Sequence, residues 1–478
     1  MRNAAMLTAV IAATTIIPVN ALTLVQRNTP KVIGMQIHRR KEPKIFRSPS
    51  LRRRAEPVSL TLDNFEDGSL YFANVTIGTP AQSFRLHLDT GSSDLWTNVP
   101  GSTLCEQDAD AEQNGNVPCS VSGTYVANDS STYKYIDSDF EIEYGDGSKA
   151  IGDYVSDTVR IGDVIFPDQQ FGIGYTSSSS EGIMGIGYAT LEVQDQDSSM
   201  GQPSSTYANI PQSMVNQGYI NSNAYSLWLD NIDSSTGSIL FGGVDTDKYQ
   251  GSLHTLNIVQ ESGEYLEMLV SLDSISITTR GQNTTVLDSA ITVLLDSGTT
   301  LTYLPEDTAS TIYSTFGAKY SPQEGVAFVS CDLANTTDTL SFKFGSKTIT
   351  VAMSEIVLEG GTSSTLDCYL GIAPESSPTG SSAGTSYVLG DSFIRNAYIV
   401  YDLANNQISL AQTNTEATSS NVLEISTGAD GVPDATGSGV TDNSKSSSSS
   451  TSSSFAQPTI APMIGLVGVV SIFAAAVL

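Results

Sequence analysis

Leu86-His87-Leu88-Asp89-Thr90-Gly91-Ser92 is answered 207 residues later by Val293-Leu294-Leu295-Asp296-Ser297-Gly298-Thr299. In each stretch an apolar strand delivers an aspartate into a tight turn, followed by a glycine and a hydroxyl residue. A second matched pair lies downstream, Ile183-Met-Gly185-Ile and Val388-Leu-Gly390-Asp. The interval from aspartate to glycine is 96 residues in the first half and 94 in the second. One Asp-Thr-Gly is an ordinary turn, because Asp and Gly populate turns everywhere. Two such turns with matched partners at matched spacing imply a duplicated unit, each copy supplying one aspartate to a shared site.

Such a site has definite chemistry. Two carboxyls about 3 Å apart cannot both ionise, so the pair keeps one proton well above the ordinary carboxylate range. Its titration belongs to the pair and to neither member alone. One carboxylate can then activate a water while the other polarises a carbonyl, with no metal and no nucleophilic serine. Gly91 and Gly298 let the backbone approach the carboxylates closely.

Around these turns the pattern is short strands broken by Gly, Asn, Asp and Ser. Leu70 to Ile77 alternates and stops at Gly78-Thr-Pro80, and Phe140-Glu-Ile-Glu-Tyr144 alternates into the hairpin turn Gly145-Asp146-Gly147. Helices are expected only near Pro211–Gln217 and Pro305–Phe316, each opened by a proline as an N1 residue.

These residues resemble the pepsin-like aspartic proteases, and specifically the fungal yapsins and GPI-anchored candidapepsins. Asp89-Thr-Gly-Ser-Ser-Asp-Leu-Trp96, Tyr144-Gly-Asp-Gly-Ser148, Phe241-Gly-Gly-Val-Asp245 and Val388-Leu-Gly-Asp-Ser-Phe-Ile-Arg395 through Tyr401-Asp402 carry the likeness, over about residues 58–413. The resemblance implies an all-β, bilobal fold of two pseudo-symmetric barrel-like lobes with a cleft between them. It makes Asp89 and Asp296 the catalytic pair, Ser92 and Thr299 outer hydrogen-bond donors, and Thr90 and Ser297 the bridge between the two turns. Tyr144 becomes the tyrosine of a flap (Tyr144, Gly145, Asp146, Gly147), hydrogen-bonded to Trp96. Ser297 stands where pepsin has Thr, which keeps the hydroxyl.

Charge and cysteines place the chain outside the cytosol. Net charge is −29 over 478 residues, yet residues 1–54 hold 11 of the 22 Lys and Arg against one acid, Glu42. Residues 55–478 therefore carry 11 basic against 50 acidic side chains, a net of −39. That surface repels nucleic acid and anionic membranes and attracts cationic peptides. Cys105, Cys119, Cys331 and Cys368 form two sequence-local pairs without a CxxC, so Cys105–Cys119 and Cys331–Cys368 bonds in an oxidising compartment are the simplest account. With His38, His87 and His254 as the only histidines, no zinc-ligand spacing occurs, and no metal or cofactor is called for. Asn74, Asn128, Asn283 and Asn335 head glycosylation sequons.

The ends read as processed. Residues 1–21 form a signal peptide closing on Val19-Asn20-Ala21, and 22–54 a basic propeptide ending at Arg52-Arg53-Arg54, expected to fold over the cleft with Lys41 or Lys44 at the dyad. An N-terminal lobe is assigned to 55–245 and a C-terminal lobe to 246–415. A Ser/Thr-rich stalk follows over 416–459, and an uncharged hydrophobic tail over 460–478 completes a GPI-attachment signal, with the attachment residue within Asn443–Ser452.

The expected protein is a secreted, surface-anchored, monomeric endopeptidase acting on peptides and proteins, inhibited by its own propeptide. The resemblance implies that Asp146, two residues after the flap tyrosine, favours Lys before the cut, and Glu141 and Glu143 on the hairpin with Glu106, Asp108, Asp110 and Glu112 in the first cysteine loop are expected to add to a preference for Lys or Arg. A serine hydrolase is excluded, because Gly380-Ser-Ser-Ala-Gly384 follows no apolar strand and no histidine comes after it, which leaves His87 beside Asp89 without a triad. Asp245-Thr-Asp247 lacks the later Gly and Glu of an EF-hand loop. The rival of another class is a non-catalytic wall or peptide-binding protein, which the intact dyad argues against.

Overall fold

Alternation of apolar and polar residues becomes strand through much of the described chain. The structure, a computed structural model, describes residues 31–39, 70–105, 118–145, 147–193, 206–234, 236–362, 365–375 and 387–437. The signal peptide, Lys41, Lys44, Arg52–Arg54, the acids of the first cysteine loop, Asp146, the 380–384 loop and everything past 437, the anchor tail included, lie outside the described residues.

In the first half the strands are β1 (Ile33–Arg39), β2 (Tyr71–Ile77), β3 (Gln82–Asp89), β4 (Leu95–Asn98), β5 (Lys134–Glu143), β6 (Lys149–Ile161), β7 (Val164–Ser177) and β8 (Ile183–Gly185). The order β2-β3-β8-β4-β7-β6 closes on itself because β6 pairs back to β2, giving a six-strand barrel, and β5 hangs on β6 as the flap hairpin. From β2 the sheet continues through β1 to β10 (Thr236–Phe241) and β9 (Ala224–Trp228). It then takes in Ala397–Asp402, Gln407–Thr413 and β12 (Tyr249–Asn257) from the other half. One sheet thus joins both lobes. Three smaller sheets complete the second lobe, one of them built on Ile291–Leu295, Tyr387–Leu389 and Thr302–Leu304.

The duplication is visible in the pairing. β8 lies parallel to β3, Leu88 opposite Met184 and Asp89 opposite Gly185. Tyr387–Leu389 lies parallel to Ile291–Leu295, Leu295 opposite Leu389. Each strand also pairs antiparallel with the one leaving the aspartate turn, Met184 with Leu95 and Leu389 with Thr302. A Cβ on Gly185 would sit 2.6 Å from Ser93 N, and one on Gly390 would strike the Thr299 carbonyl. The matched glycines in the sequence mark this crossing.

The two expected helices are present at Ile210–Asn216 and Glu306–Phe316. Pro211 sits in the first turn behind an Asn209 cap whose side chain accepts from Gln212 N at 3.3 Å. Pro305 is the residue before its helix instead of its first member, its ψ of 137° lying outside the helical range. Both disulfides, Cys105–Cys119 and Cys331–Cys368, are formed.

Two assignments at the ends are corrected. Residues 31–39, expected within an arm over the cleft, form β1 inside the lobe-joining sheet, between β10 and β2. Its apolar members Ile33, Met35 and Ile37 recur at the strand period, and Arg39 donates from Nη1 to the Ile232 carbonyl. The stalk does not begin at 416 either. Val422–Glu424 pairs with β11 (Gly243–Asp245), Ala435–Gly437 runs parallel to β12, and Ile425 and Val432 are buried. A few apolar residues among Ser and Gly suffice where a ready strand edge accepts them.

Candidate active site

β3 ends at Asp89 and Ile291–Leu295 ends one residue before Asp296, so both aspartates enter tight turns that meet where the lobes touch; both are fully buried. The turns fasten their own carboxylates in the same way. Gly91 N donates to Asp89 Oδ1 at 2.8 Å and Ser92 Oγ to Asp89 Oδ2; Gly298 N donates to Asp296 Oδ1 at 2.8 Å and Thr299 Oγ1 to Asp296 Oδ2 at 2.5 Å. The lobes then interlock. A Cβ on Gly91 would lie 2.7 Å from Asp296 Oδ1, and one on Gly298 would collide with Asp89 Oδ1. Each carboxylate is seated against the glycine of the opposite turn.

Thr90 and Ser297 tie the turns together. Thr90 Oγ1 donates to the Leu295 carbonyl at 3.0 Å and accepts from Ser297 N at 2.9 Å. Reciprocally, Ser297 Oγ donates to the Leu88 carbonyl at 3.0 Å and accepts from Thr90 N at 3.3 Å. Beneath them Tyr225 and Tyr401 stack at 5.1 Å, one from each half.

Burial, and after it the negative charge of Asp89, hold the Asp296 carboxyl protonated well above the ordinary range; the Thr299 and Gly298 donors oppose this without reversing it. The pair as a whole therefore holds one proton above the ordinary carboxylate range. Such a pair can take a proton from water on one side and give one to a carbonyl oxygen on the other.

Tyr144 closes the site from the flap, buried, its hydroxyl accepting from Trp96 Nε1 at 2.7 Å. Gly147 takes the left-handed φ of 81° that the hairpin turn demands, and its N–H returns to the Tyr144 carbonyl at 2.9 Å. Glu141 and Glu143 are exposed on β5. Asp245 and Asp247 make a turn, with Asp245 also accepting from Ser420 Oγ at 2.6 Å and Asn421 N at 2.8 Å. All four sequon asparagines are exposed.

Three features escaped the sequence reading. Asp94, inside the first quoted motif, is a buried acid receiving Tyr154 and Tyr207 hydroxyls at 2.7 and 2.8 Å on Oδ1 and Val193 N at 3.0 Å on Oδ2. Burial raises its carboxyl, and the three donors pull the other way. Asp391, inside the last motif, is likewise raised well above the usual range by burial, against the charges of Arg395 and Arg39. His87 is fully buried and neither ring nitrogen has a hydrogen-bond partner among the described residues. Its place on the strand of Asp89 was legible; its burial was not.

The family model for eukaryotic aspartyl proteases matches residues 70–413. A probable aspartic-type endopeptidase, opsB of Aspergillus fumigatus, is 46% identical over 424 residues, covering 87% of this chain and 83% of that one. Aspartic proteinase yapsin-3 of Saccharomyces cerevisiae is 35% identical over 351 residues, 72% of this chain and 66% of that one. The crystal structure of an aspartic proteinase from Irpex lacteus aligns with a TM-score of 0.58 at 25% identity, covering 74% of this chain and 97% of its own.

Proposed function

We propose, for a chain that belongs to the eukaryotic aspartyl protease family and is an aspartic-type endopeptidase, that Asp89 and Asp296 carry the hydrolysis of its peptide substrates. Asp89 is the base that takes a proton from the attacking water, and Asp296 is the acid that protonates the scissile carbonyl oxygen. The tetrahedral intermediate then collapses with proton transfer to the leaving amine. What supports this reading is the interlocked pair of turns, with burial and the neighbouring Asp89 charge raising the Asp296 carboxyl. Tyr144, held by Trp96, covers the substrate and helps exclude water from the reacting bond.

Asp89→Asn and Asp296→Asn, assayed on a peptide library across acid pH with and without pepstatin, test this reading. Each variant should fold and lose cleavage, and substantial hydrolysis by either one would refute it.

The finer reading is a protein that enters the secretory pathway through residues 1–21, is glycosylated at exposed sequons and is held at the surface by a GPI lipid. The uncharged tail and Ser-rich spacer support the anchor; release by phosphatidylinositol-specific phospholipase tests it, and release by detergent alone would speak for a spanning tail. Preference for Lys or Arg near the cut rests on Asp146 with Glu141 and Glu143 on the flap strand, against a background net charge of −39 from residue 55 onward. Asp146→Ser should lower cleavage after Lys several-fold and spare cleavage after Leu; equal losses would assign Asp146 to flap support. Removal of 22–54 would sever β1 from the body, so N-terminal sequencing together with intact mass decides whether that strand departs or stays bound.

A further inference from the structure

Strand β3 has two faces. Leu86 and Leu88 point into the main core, while His87 and Asp89 share the other face one strand period apart. His87 therefore shares its strand face with a dyad carboxylate, two residues before it, close enough to feel its charge. Its ring packs on Phe72, its register partner on β2, with centroids 5.7 Å apart, and Ile183 is its neighbour on β8. Neither neighbour offers a polar atom on its side chain, and both imidazole nitrogens are buried without a hydrogen-bond partner among the described residues. A buried imidazole packed among apolar side chains, with only the Ser297 backbone near its ring, is an expensive way to fill space. It can be charged only if something nearby rewards the charge.

The surroundings supply one such group. Arg85, one period further along the same face, lies over Phe72 at 4.1 Å and pairs with Glu181 at 4.0 Å. Phe72 and Ile183 carry no charge. Asp89 is the ionisable group that favours the protonated ring, with the Ser297 backbone from the opposite turn adding to it. Burial works in the other direction and dominates, bringing the imidazole down to about 4.

We propose that His87 is a positioning residue for the dyad: in acid it takes up a proton from solvent, and its positive charge near Asp89 keeps the pair singly ionised at a pH where two isolated carboxyls would both be protonated. The proposal rests on the assignment of Asp89 and Asp296 as the working pair. At the enzyme's upper pH limit His87 is neutral and exerts little field, so the effect is confined to the acid limb. Coupling is reciprocal: whatever His87⁺ does to the dyad, the dyad anion does to His87.

Two measurements on the purified protein test it. First, kcat/KM is followed from pH 2 to 7 with an uncharged peptide for the wild type, His87→Gln and His87→Leu. The acid limb should move up by about one pH unit in both variants, a tenfold relative loss at any pH on that limb, while the alkaline limb stays in place. Gln and Leu differ in polarity and shape but share the absence of charge. An equal shift in the two therefore reports charge, whereas a merely structural role would lower the whole profile by different amounts. Second, the titration of His87 is read by NMR of histidine-labelled protein, which has only three histidines. Asp89→Asn should move the His87 midpoint down by about one unit. An acid limb unchanged in both variants, or a His87 midpoint indifferent to Asp89→Asn, overturns the inference. Absence of cleavage by the wild type would instead overturn the functional assignment and leave the NMR arm to decide this one.

Discussion

Substitution of Gly91 by Ala isolates the interlocking of the two turns. Gly91 does not adopt a left-handed φ, so alanine meets no backbone penalty and its whole effect comes from one methyl group. That methyl would stand 2.7 Å from Asp296 Oδ1, 2.9 Å from its Cγ and 3.2 Å from Oδ2. A relaxed carbon–oxygen contact is about 3.3–3.6 Å, so the carboxylate must retreat by about 0.6 Å or the turns must part by as much. A 1 Å misplacement of a reacting group can lower a rate by about 10²-fold. The expected loss in kcat/KM is therefore about ten- to a hundredfold, or about 1.4–2.7 kcal/mol of transition-state stabilisation. Overpacking a tight interior costs about 1–3 kcal/mol of stability, a loss the fold should survive. The assay is kcat/KM on one peptide at the optimum, beside a urea melt. Gly147→Ala is the contrasting variant, with a strained φ of 81° but no atom within 4 Å of its new methyl. Gly91→Ala with activity within threefold of wild type would refute the claim that the opposite carboxylate is seated on that glycine.

Thr90→Val removes a hydroxyl that donates to Leu295 O and accepts from Ser297 N, leaving Ser297 N unpaired and Leu295 O with only the 3.4 Å Tyr401 hydroxyl, a cost of about 1–3 kcal/mol; Thr90→Ser should keep most of that stability, and equal urea midpoints for the two variants would contradict the role. A chain ending at Thr413 should melt below one ending at Gly437, since it uncovers Ile425 and Val432, each worth about 1.5–3 kcal/mol when fully buried; coincident melting curves would return residues 416–437 to the stalk. Burial lifts the Glu375 carboxyl to about 7, so the folded state binds more protons than the unfolded chain between that value and the unfolded one near 4.5, and this group's stabilisation fades as pH rises through 7. Glu375→Gln should accordingly gain on the wild type in melting temperature between pH 4.5 and 7.5; a difference that stays constant or narrows over that range would rule out the titration.

Much of the site was legible because it is written twice. Asp-Thr-Gly-Ser and Asp-Ser-Gly-Thr need identical local chemistry, and the glycines at 185 and 390 are demanded by a backbone crossing in each half, so spacing exposed both. The flap hairpin was readable for the same kind of reason, from strict alternation running into Gly145-Asp-Gly147. What resisted reading depends on partners distant in sequence. Ile33, Met35 and Ile37 alternate as a strand should, but Arg39, Arg40 and Lys41 directed attention to charge, and the two vacant edges that accept β1 belong to residues 71–73 and 236–241. The Val422–Glu424 strand has three residues and exists because β11 offers an edge. Asp94 looked like one more polar residue of a turn until Tyr154 and Tyr207 arrived from strands and loops 60 and 113 residues away.

The sheet that joins the lobes also sets when the enzyme can begin to act. Ala397–Asp402 and Gln407–Thr413 are among the last strands to emerge during synthesis, and they bind β9 and β12 to complete the frame on which the two aspartate turns meet. A nascent chain that has folded its first half holds Asp89 with no Asp296 turn to lie against Gly91. On the roles proposed for the two aspartates, such a chain has no complete site. Hydrolytic power therefore arrives late and all at once, after the chain has committed to its final shape, and unfinished molecules in the same compartment are spared from one another.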